Sequence, residues 1–175
     1  MKHLPNLLSI ARLVLAPFVF VLLWKQYWGW ALWLLILAAL TDVLDGFFAR
    51  RLRVTSRRGE VLDPIADKVL LSGAFLAMVL NGSIEAWLAA IVIGRDVLIL
   101  SFTGGALARS AGRRFPPSLW GKISTFFQAL FVLAVAANLA SAVPGSIVSI
   151  LKWATAVFTI VSGVDYARRA AYNRT

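Results

Sequence analysis

Residues 42–67, DVLDGFFARRLRVTSRRGEVLDPIAD, contain four aspartates in a chain of 175 residues that has only eight acidic residues. The aspartates form two pairs, Asp42 with Asp45 and Asp63 with Asp67. Spacings of three and four residues place each pair on one face of a helix. Five arginines lie between the pairs. The stretch therefore predicts two helices joined by a basic connector, with a carboxylate pair on each helix.

The composition indicates that much of the surface faces lipid. Apolar residues make up 60% of the chain and charged residues 15%, and the mean hydropathy is +0.80. Soluble domains have about 25% charged residues. Seven tryptophans fit this interpretation, because amphipathic aromatic side chains favour the membrane interface. The sequence predicts an integral membrane protein that contacts the lipid bilayer.

Six apolar segments, each about as long as a membrane-spanning helix, follow one another along the chain. Only helices and closed barrels satisfy their backbone groups in lipid, and continuous apolar runs favour helices. We therefore predict an all-α protein with six transmembrane helices in one domain covering residues 1–175. The segments run approximately over 6–24, 28–48, 61–80, 86–108, 117–139 and 146–167.

The net charge of +10 permits either a nucleic-acid partner or an anionic membrane surface. The basic residues cluster in alternate connectors between the apolar segments, which favours the membrane and no nucleic acid. The positive-inside rule then predicts a multi-pass protein of the inner membrane, with both termini and the acidic site in the cytosol. The chain has no Cys, and its single His is His3. Disulfides and Cys-ligated metals are thus excluded, and almost no material remains for a His-ligated zinc site or a Ser-His-Asp triad.

An antiparallel hairpin would bring the two carboxylate pairs together. A charged side chain in the bilayer costs from roughly 2.5 to over 10 kcal/mol. The carboxylates could be protonated, could pair with nearby arginines, or could bind cations. Clustered oxygen ligands suit Mg²⁺, Mn²⁺ or Ca²⁺, and four carboxylates suffice for two ions about 3.5–4 Å apart.

Small residues accompany the aspartates at Gly46, Ala49 and Gly59. Glycine inside a helix costs about 1 kcal/mol and is tolerated where a backbone or a ligand must come close. A flat base or ribose could lie against such a surface. Ordinary helix packing is the alternative explanation.

Together these residues form the pattern Asp42-x2-Asp45-Gly46-x2-Ala49-Arg50-x8-Gly59-x3-Asp63-x3-Asp67. It resembles the signature of the CDP-alcohol phosphatidyltransferase family at every fixed position. The resemblance implies a six-helix fold, a homodimer, and transfer of a phosphatidyl group from CDP-diacylglycerol to an alcohol acceptor. It implies two divalent cations, Mg²⁺ or Mn²⁺, held by Asp42, Asp45 and Asp63, with Asp67 beside them as general base. It also implies a CDP site at Asp45, Gly46, Ala49, Arg50 and Gly59.

The sequence indicates the acceptor alcohol less specifically than it indicates the family that the motif resembles. Arg95, Lys122, Arg109 and Arg113 could bind the phosphate of an acceptor such as glycerol 3-phosphate, since arginine suits phosphate. The ending Thr159-Ile160-Val161-Ser162-Gly163-x-Asp165-Tyr166 is similar to that of phosphatidylglycerophosphate synthases. For Arg109 and Arg113, the positive-inside rule alone is an alternative explanation.

Two positions depart from those enzymes, Asp96 where they usually have Glu and Ser124 where they have Lys. In both places the chain resembles cardiolipin synthases, which use phosphatidylglycerol as acceptor. A third possibility, of a different class, is a cation transporter or channel with an acidic ion site. Without Cys, or a His near the motif, we expect direct attack by the acceptor rather than a covalent enzyme intermediate.

Overall fold

The computed structural model describes a bundle of α-helices. The backbone is described for residues 4–52, 59–109 and 118–172, and the side chains for residues 11–41, 68–101 and 118–169. Within these ranges the regular secondary structure is helical, and there is no strand. The helices are α1 (Leu4–Trp24), α2 (Trp28–Leu52), α3 (Gly59–Leu80), α4 (Ala86–Arg109), α5 (Leu119–Leu139) and α6 (Gly145–Tyr172).

The helix ends differ most from the predicted apolar segments where the sequence becomes basic. Helix α2 continues to Leu52 instead of residue 48, and α6 continues to Tyr172 instead of residue 167. Arginine has a high helix propensity, so a helix need not stop where the apolar run stops. The apolar run therefore marks only the part of each helix that lipid could cover.

Among the residues with described side chains, two helices are long and apolar enough to cross a membrane, Leu119–Leu139 and Gly145–Arg169. Shorter apolar helical stretches occur at Ala11–Trp24, Trp28–Thr41 and Lys68–Leu80. Large apolar side chains also lie on the outside of the bundle, including Trp30 and Trp33, which are 72% and 70% exposed. Contiguous exposed apolar surface of this kind marks contact with a membrane or another protein.

Hydrogen bonds between distant residues establish which helix ends lie together. Asn81, which follows α3, donates from Nδ2 to the carbonyl of Leu23 at 2.7 Å, so α1 and α3 end side by side. Lys152 near the start of α6 bonds Glu85 just before α4. We call this region, with connectors 25–27, 81–85 and 140–144, the far end. The motif half is the opposite half of the bundle, with the second half of α2 and the first half of α3.

The apolar core joins the helices in the middle of the bundle. Helix α1 packs against α2 and α3, and α6 packs against α4 and α5. Phe75 of α3 stacks on Phe131 of α5 with ring centroids 5.9 Å apart, and both side chains are buried. Val19 and Leu23 of α1 are fully buried in the same core. This packing fixes α3, α4, α5 and α6 relative to one another, and so positions the polar side chains that they carry.

Candidate functional site

The four motif aspartates lie within helices of the motif half, Asp42 and Asp45 in α2, and Asp63 and Asp67 in α3. Their side chains lie outside the described residues. The same is true of the predicted nucleotide-binding residues Gly46, Ala49, Arg50 and Gly59. Among the side chains that the structure does describe, no three His, Cys, Asp or Glu groups come together as a metal site. The described part of the chain thus offers no competing metal centre.

A charged cluster begins directly after the last motif aspartate. Lys68 of α3 donates from Nζ to Oδ1 of Asp96 in α4 at 2.5 Å, and Arg95 donates from Nη1 to the same oxygen at 2.7 Å. The side chains of Arg95 and Asp96 are each 6% exposed, whereas that of Lys68 is 21% exposed. One carboxylate therefore bridges two cations.

The Arg95 guanidinium also ties α4 to α6 and α5. Nε and Nη2 both donate to Oγ of Ser162, at 3.1 and 2.6 Å, and Nη2 makes a longer contact of 3.4 Å with the Gly121 carbonyl. The guanidinium carbon lies 5.8 Å from the centre of the Tyr166 ring, a cation–π distance. Arg95 is thus a buried cross-link among three helices.

Gly121 is the position where Arg95 comes closest to α5. A Cβ atom built there would lie 3.1 Å from Nη2 of Arg95 and 3.3 Å from the Tyr166 ring. Either neighbour would have to shift to accommodate a side chain. The glycine in Gly121-Lys122 is therefore explained by the close approach of the guanidinium.

Of the other predicted acceptor residues, only Lys122 has a side chain that the structure describes. Lys122 lies next to Gly121 in α5, but its side chain is exposed. Arg109 is the last residue of α4, with its side chain outside the described residues, and Arg113 lies outside them altogether. The structure places Arg95 in a network with Lys68. Lys68 was not among the acceptor-binding residues predicted from the sequence.

A polar group fixes the start of α5 against the end of α6. Ser118 is the N-cap of α5 and accepts a hydrogen bond from the Gly121 amide at 3.3 Å. Its hydroxyl donates to Oδ2 of Asp165 at 2.5 Å, and its amide donates to the Tyr166 hydroxyl at 3.3 Å. These bonds set the rotation of α6 that turns Ser162 toward Arg95.

A second buried polar group continues along the α5–α6 contact. The Gln128 amide donates from Nε2 to the hydroxyls of Ser124 and Thr159 at 3.1 and 3.2 Å, and these two hydroxyls are 3.1 Å apart. All three side chains are fully buried, and Oε1 of Gln128 has no hydrogen-bond partner in the part of the chain that the structure describes. Thr155, Thr159, Ser162 and Tyr166 recur every three or four residues of α6. That helical spacing was the available signal for this polar face.

Comparison with known proteins places these observations in a family. A model of the CDP-alcohol phosphatidyltransferase family matches residues 2–161. The match covers the motif, the Lys68–Asp96–Arg95 cluster and most of the α5–α6 polar contact. The chain belongs to the CDP-alcohol phosphatidyltransferase family. It is therefore a membrane-embedded transferase of phospholipid biosynthesis, as the resemblance of the motif implied.

Several curated members of the family align with nearly the whole chain. A CDP-diacylglycerol–glycerol-3-phosphate 3-phosphatidyltransferase from Bacillus subtilis (strain 168) is 32% identical over 192 residues, covering 95% of this chain and 94% of the relative. One of the same name from Aquifex aeolicus (strain VF5) is 33% identical over 171 residues, covering 94% and 93%. A CMP-forming cardiolipin synthase from Rattus norvegicus is 33% identical over 180 residues, covering 93% of this chain and 60% of the relative.

Proposed function

We propose that the chain transfers the phosphatidyl group of CDP-diacylglycerol to glycerol 3-phosphate, with phosphatidylglycerophosphate and CMP as products. The main support is that relatives named for this reaction align with nearly their full length and with nearly all of this chain. The complete aspartate motif agrees with the same family. Arg95 supplies a guanidinium near the motif half, and a guanidinium suits a phosphorylated acceptor.

The chemistry of the motif suits hard divalent cations. Asp42, Asp45, Asp63 and Asp67 supply only carboxylate oxygens, the ligands that Mg²⁺ and Mn²⁺ prefer. We propose that they hold two such ions. When bound, these ions would neutralise the pyrophosphate and stabilise the charge that develops on CMP. Asp45, Gly46, Ala49, Arg50 and Gly59 would bind the CDP group beside them.

Asp67 would serve as the general base. It would accept the proton of an acceptor hydroxyl while that oxygen attacks the phosphorus that carries the diacylglycerol group. The new P–O bond forms as the bond from that phosphorus to the CMP oxygen breaks, so CMP leaves with the electron pair. One displacement of this kind inverts the configuration at phosphorus. Inversion at a chiral phosphorus is therefore expected, and retention would indicate two displacements.

We propose six membrane spans with both termini and the active site in the cytosol, in a homodimer in the inner membrane. Five arginines lie at residues 50–58, between the two motif aspartate pairs in the sequence. By contrast, connector 25–27 carries Lys25 and connector 81–85 carries Glu85. This asymmetry is the positive-inside pattern. The exposed apolar faces of several helices provide surface both for lipid and for a second copy.

Cardiolipin synthesis from phosphatidylglycerol is the second candidate. It is favoured by the aligned cardiolipin synthase and by Ser124, which lies in the neutral Gln128–Thr159 group where a lysine would add a cation. Family membership favours either enzyme over the cation transporter or channel considered from the sequence. The two enzyme candidates differ in the acceptor, so a direct acceptor comparison separates them.

The deciding experiment measures CMP release from CDP-diacylglycerol by the purified chain in detergent, with Mg²⁺ or Mn²⁺ present. Glycerol 3-phosphate and phosphatidylglycerol are offered separately, and serine and inositol phosphate serve as further acceptors. Glycerol 3-phosphate is expected to support the fastest release. Faster release with phosphatidylglycerol would transfer the assignment to cardiolipin synthesis.

Asp67→Asn tests the proposed base in the same assay. Loss of a general base lowers turnover by about 10²–10⁴-fold, while the amide keeps the shape of the side chain. Binding of CDP-diacylglycerol, measured separately, is expected to remain detectable. Normal turnover by Asp67→Asn would show that another group accepts the proton.

A further inference from the structure

A cavity of about 520 Å³ opens at the far end of the bundle, away from the motif half. Sites for small ligands have volumes of about 300–1,000 Å³. The cavity lies between connector 81–85 and the first half of α6, with α5 beneath it. Two charged, two hydroxyl and two apolar side chains line it, namely Glu85, Lys152, Ser83, Ser149, Phe131 and Val148. Its size and its mixed lining suit a small polar group that carries charge.

Hydrogen bonds hold the connector that forms one wall of this cavity. Oδ1 of Asn81 accepts from the amide and the hydroxyl of Ser83, at 3.0 and 2.5 Å, and its Nδ2 donates to the Leu23 carbonyl of α1. Gly82 lies between them with φ +76°, a backbone conformation that glycine adopts without strain. The wall is therefore fixed by the fold, and a ligand would not have to order it.

The charges in the cavity cancel. The ammonium of Lys152 lies 2.7 Å from a carboxylate oxygen of Glu85. Within the described residues the ammonium makes one other contact, with the Trp153 ring at 5.8 Å. An ammonium has three N–H donors, so it can bond a ligand anion as well as Glu85. A ligand with a net charge would face one like charge in the cavity, whereas a zwitterion offers an anion to Lys152 and a cation to Glu85.

The aromatic side chains next to the cavity indicate its level in the membrane. Trp153 follows Lys152 on α6, and Trp87 of α4 lies two residues after Glu85. The two rings are 5.9 Å apart between centroids and are 61% and 40% exposed. Exposed tryptophans favour the boundary between lipid and water. Lipid headgroups are the polar groups found at that boundary.

An exposed apolar row on α6 leads from the cavity toward the motif half. Ile150, Trp153, Val157 and Ile160 recur every three or four residues, so they share one face of the helix. Their exposed fractions are 68%, 61%, 54% and 51%. An acyl chain whose headgroup occupied the cavity would lie along this row. A soluble zwitterion would make no use of it.

We propose that the cavity binds the headgroup of a zwitterionic phospholipid that carries a primary ammonium, as phosphatidylethanolamine does. The phosphate bonds Lys152, the ammonium bonds Glu85, and an acyl chain lies along the exposed row of α6. The site is at the end of the bundle opposite the motif aspartates. The inference therefore goes beyond the proposed transfer reaction and does not depend on the acceptor alcohol.

The test measures the thermal unfolding midpoint of the purified chain in detergent as lipid is added, because a ligand that binds the folded state raises the midpoint. Phosphatidylethanolamine should bind about tenfold more tightly than phosphatidylglycerol, which has no ammonium, or phosphatidylcholine, whose ammonium has no N–H to donate. Soluble phosphoethanolamine should give no shift over the same range. Equal binding of the three lipids would overturn the assignment of the headgroup. A shift of equal size with soluble phosphoethanolamine would overturn the role of the acyl chain.

Charge variants test which group of the lipid each side chain contacts. Lys152→Met should weaken phosphatidylethanolamine binding by roughly 10- to 100-fold, since it removes a hydrogen bond to a charged group. Glu85→Gln leaves the cavity positive and should shift its preference from phosphatidylethanolamine to phosphatidylglycerol. Lys25→Met is the matched control, because it removes a lysine of the same end that does not line the cavity. An equal loss in Lys25→Met, or an unchanged preference in Glu85→Gln, would overturn the proposal.

Ser149→Trp keeps both charges and so remains informative if Lys152→Met fails to fold. Its indole would occupy the cavity, and the midpoint shift with phosphatidylethanolamine should be lost. Ser146→Trp is the control, an exposed serine one turn earlier on α6 that does not line the cavity, and it should retain the shift. Full binding by Ser149→Trp would overturn the site. None of these measurements uses CMP release, so their outcome is independent of whether the proposed function holds.

Discussion

Among the described side chains, two lysine–carboxylate pairs join different segments of the chain, one at the inner edge of the motif half and one at the far end. Lys68 bonds Asp96 at 2.5 Å, and Lys152 bonds Glu85 at 2.7 Å. The lysines are similarly exposed, but the carboxylates are not, since Asp96 is 6% exposed and Glu85 is 50% exposed. Asp96 also accepts from Arg95. The same kind of contact is therefore buried and shared with a second cation in one place, and a surface interaction in the other.

Exposure to water explains why the two ion pairs should contribute differently to stability. Exposed ion pairs contribute about 0–1 kcal/mol, because water and salt screen them. Breaking a buried pair costs about 3–5 kcal/mol, because it leaves a buried charge uncompensated. The two pairs should consequently respond very differently to removal of one partner. Three predictions test this contrast, in order of decreasing effect.

Arg95→Met is expected to give the largest loss of stability, about 3 kcal/mol. The substitution leaves Asp96 with Lys68 and removes the bonds to Ser162 and the Gly121 carbonyl. Lys152→Met at the far end should cost about 1 kcal/mol or less. Both losses of stability are measured as shifts in the thermal unfolding midpoint of each purified variant in the same detergent. Equal midpoints for the two variants would show that burial does not distinguish the Arg95–Asp96 pair from the Lys152–Glu85 pair.

The sequence predicts some features of this contrast and not others, because residue types differ in how much they indicate about structure. The apolar runs predicted helices in the right parts of the chain, because a membrane helix must be apolar over most of its length. The motif indicated the family, because its eight fixed positions carry both identity and spacing. Arg95 was predicted to bind the acceptor, a role that stays a prediction, and its enclosure by Ser162 and Gly121 was not foreseen. Those partners are 67 and 26 positions away, and only packing brings them together.

Lys68 shows a different limit of sequence reasoning. It directly follows a motif aspartate, but no fixed position of the motif includes it, so the motif gave no reason to single it out. Its partner Asp96 appeared only as a departure from the glutamate usual in phosphatidylglycerophosphate synthases. The structure joins these two observations in one ion pair. Side-chain direction around a helix axis, which composition does not reveal, was the missing information.

Thr159→Val is expected to have an intermediate effect, a loss of about 1 kcal/mol. The replacement keeps the side-chain shape and removes the hydroxyl that bonds Ser124 and Gln128. Buried groups left without partners cost about 1–3 kcal/mol, but polar bonds between membrane helices average only about 0.6 kcal/mol. Ser149→Ala, which removes an exposed hydroxyl near the far end, is the control and should change stability by less than about 0.5 kcal/mol. If Thr159→Val loses as little stability as Ser149→Ala, the α5–α6 polar contact contributes no more to stability than a surface interaction does.

The smallest effect is expected from the pH dependence of the far-end pair. The hydrogen bond from Lys152 is the main cause that holds the pKa of Glu85 below its ordinary value of 4.5, with a smaller coulombic contribution from the same lysine. A carboxylate whose pKa is lowered by folding stabilises the folded state above its unfolded pKa. That contribution is lost as the pH falls through the folded pKa. It should therefore be complete at pH 6 and should decline below about pH 4.5.

Glu85→Gln isolates this contribution, because the amide cannot titrate. The unmodified chain should lose more stability than Glu85→Gln between pH 6 and pH 3.5, by at most about 1 kcal/mol, since Glu85 is half exposed. Thermal midpoints at low and high salt measure the difference, and high salt should reduce it. A larger difference that resists salt would mean that water does not screen the far-end pair. In that event the contrast between the two ends would rest on the shared carboxylate of Asp96 and not on exposure.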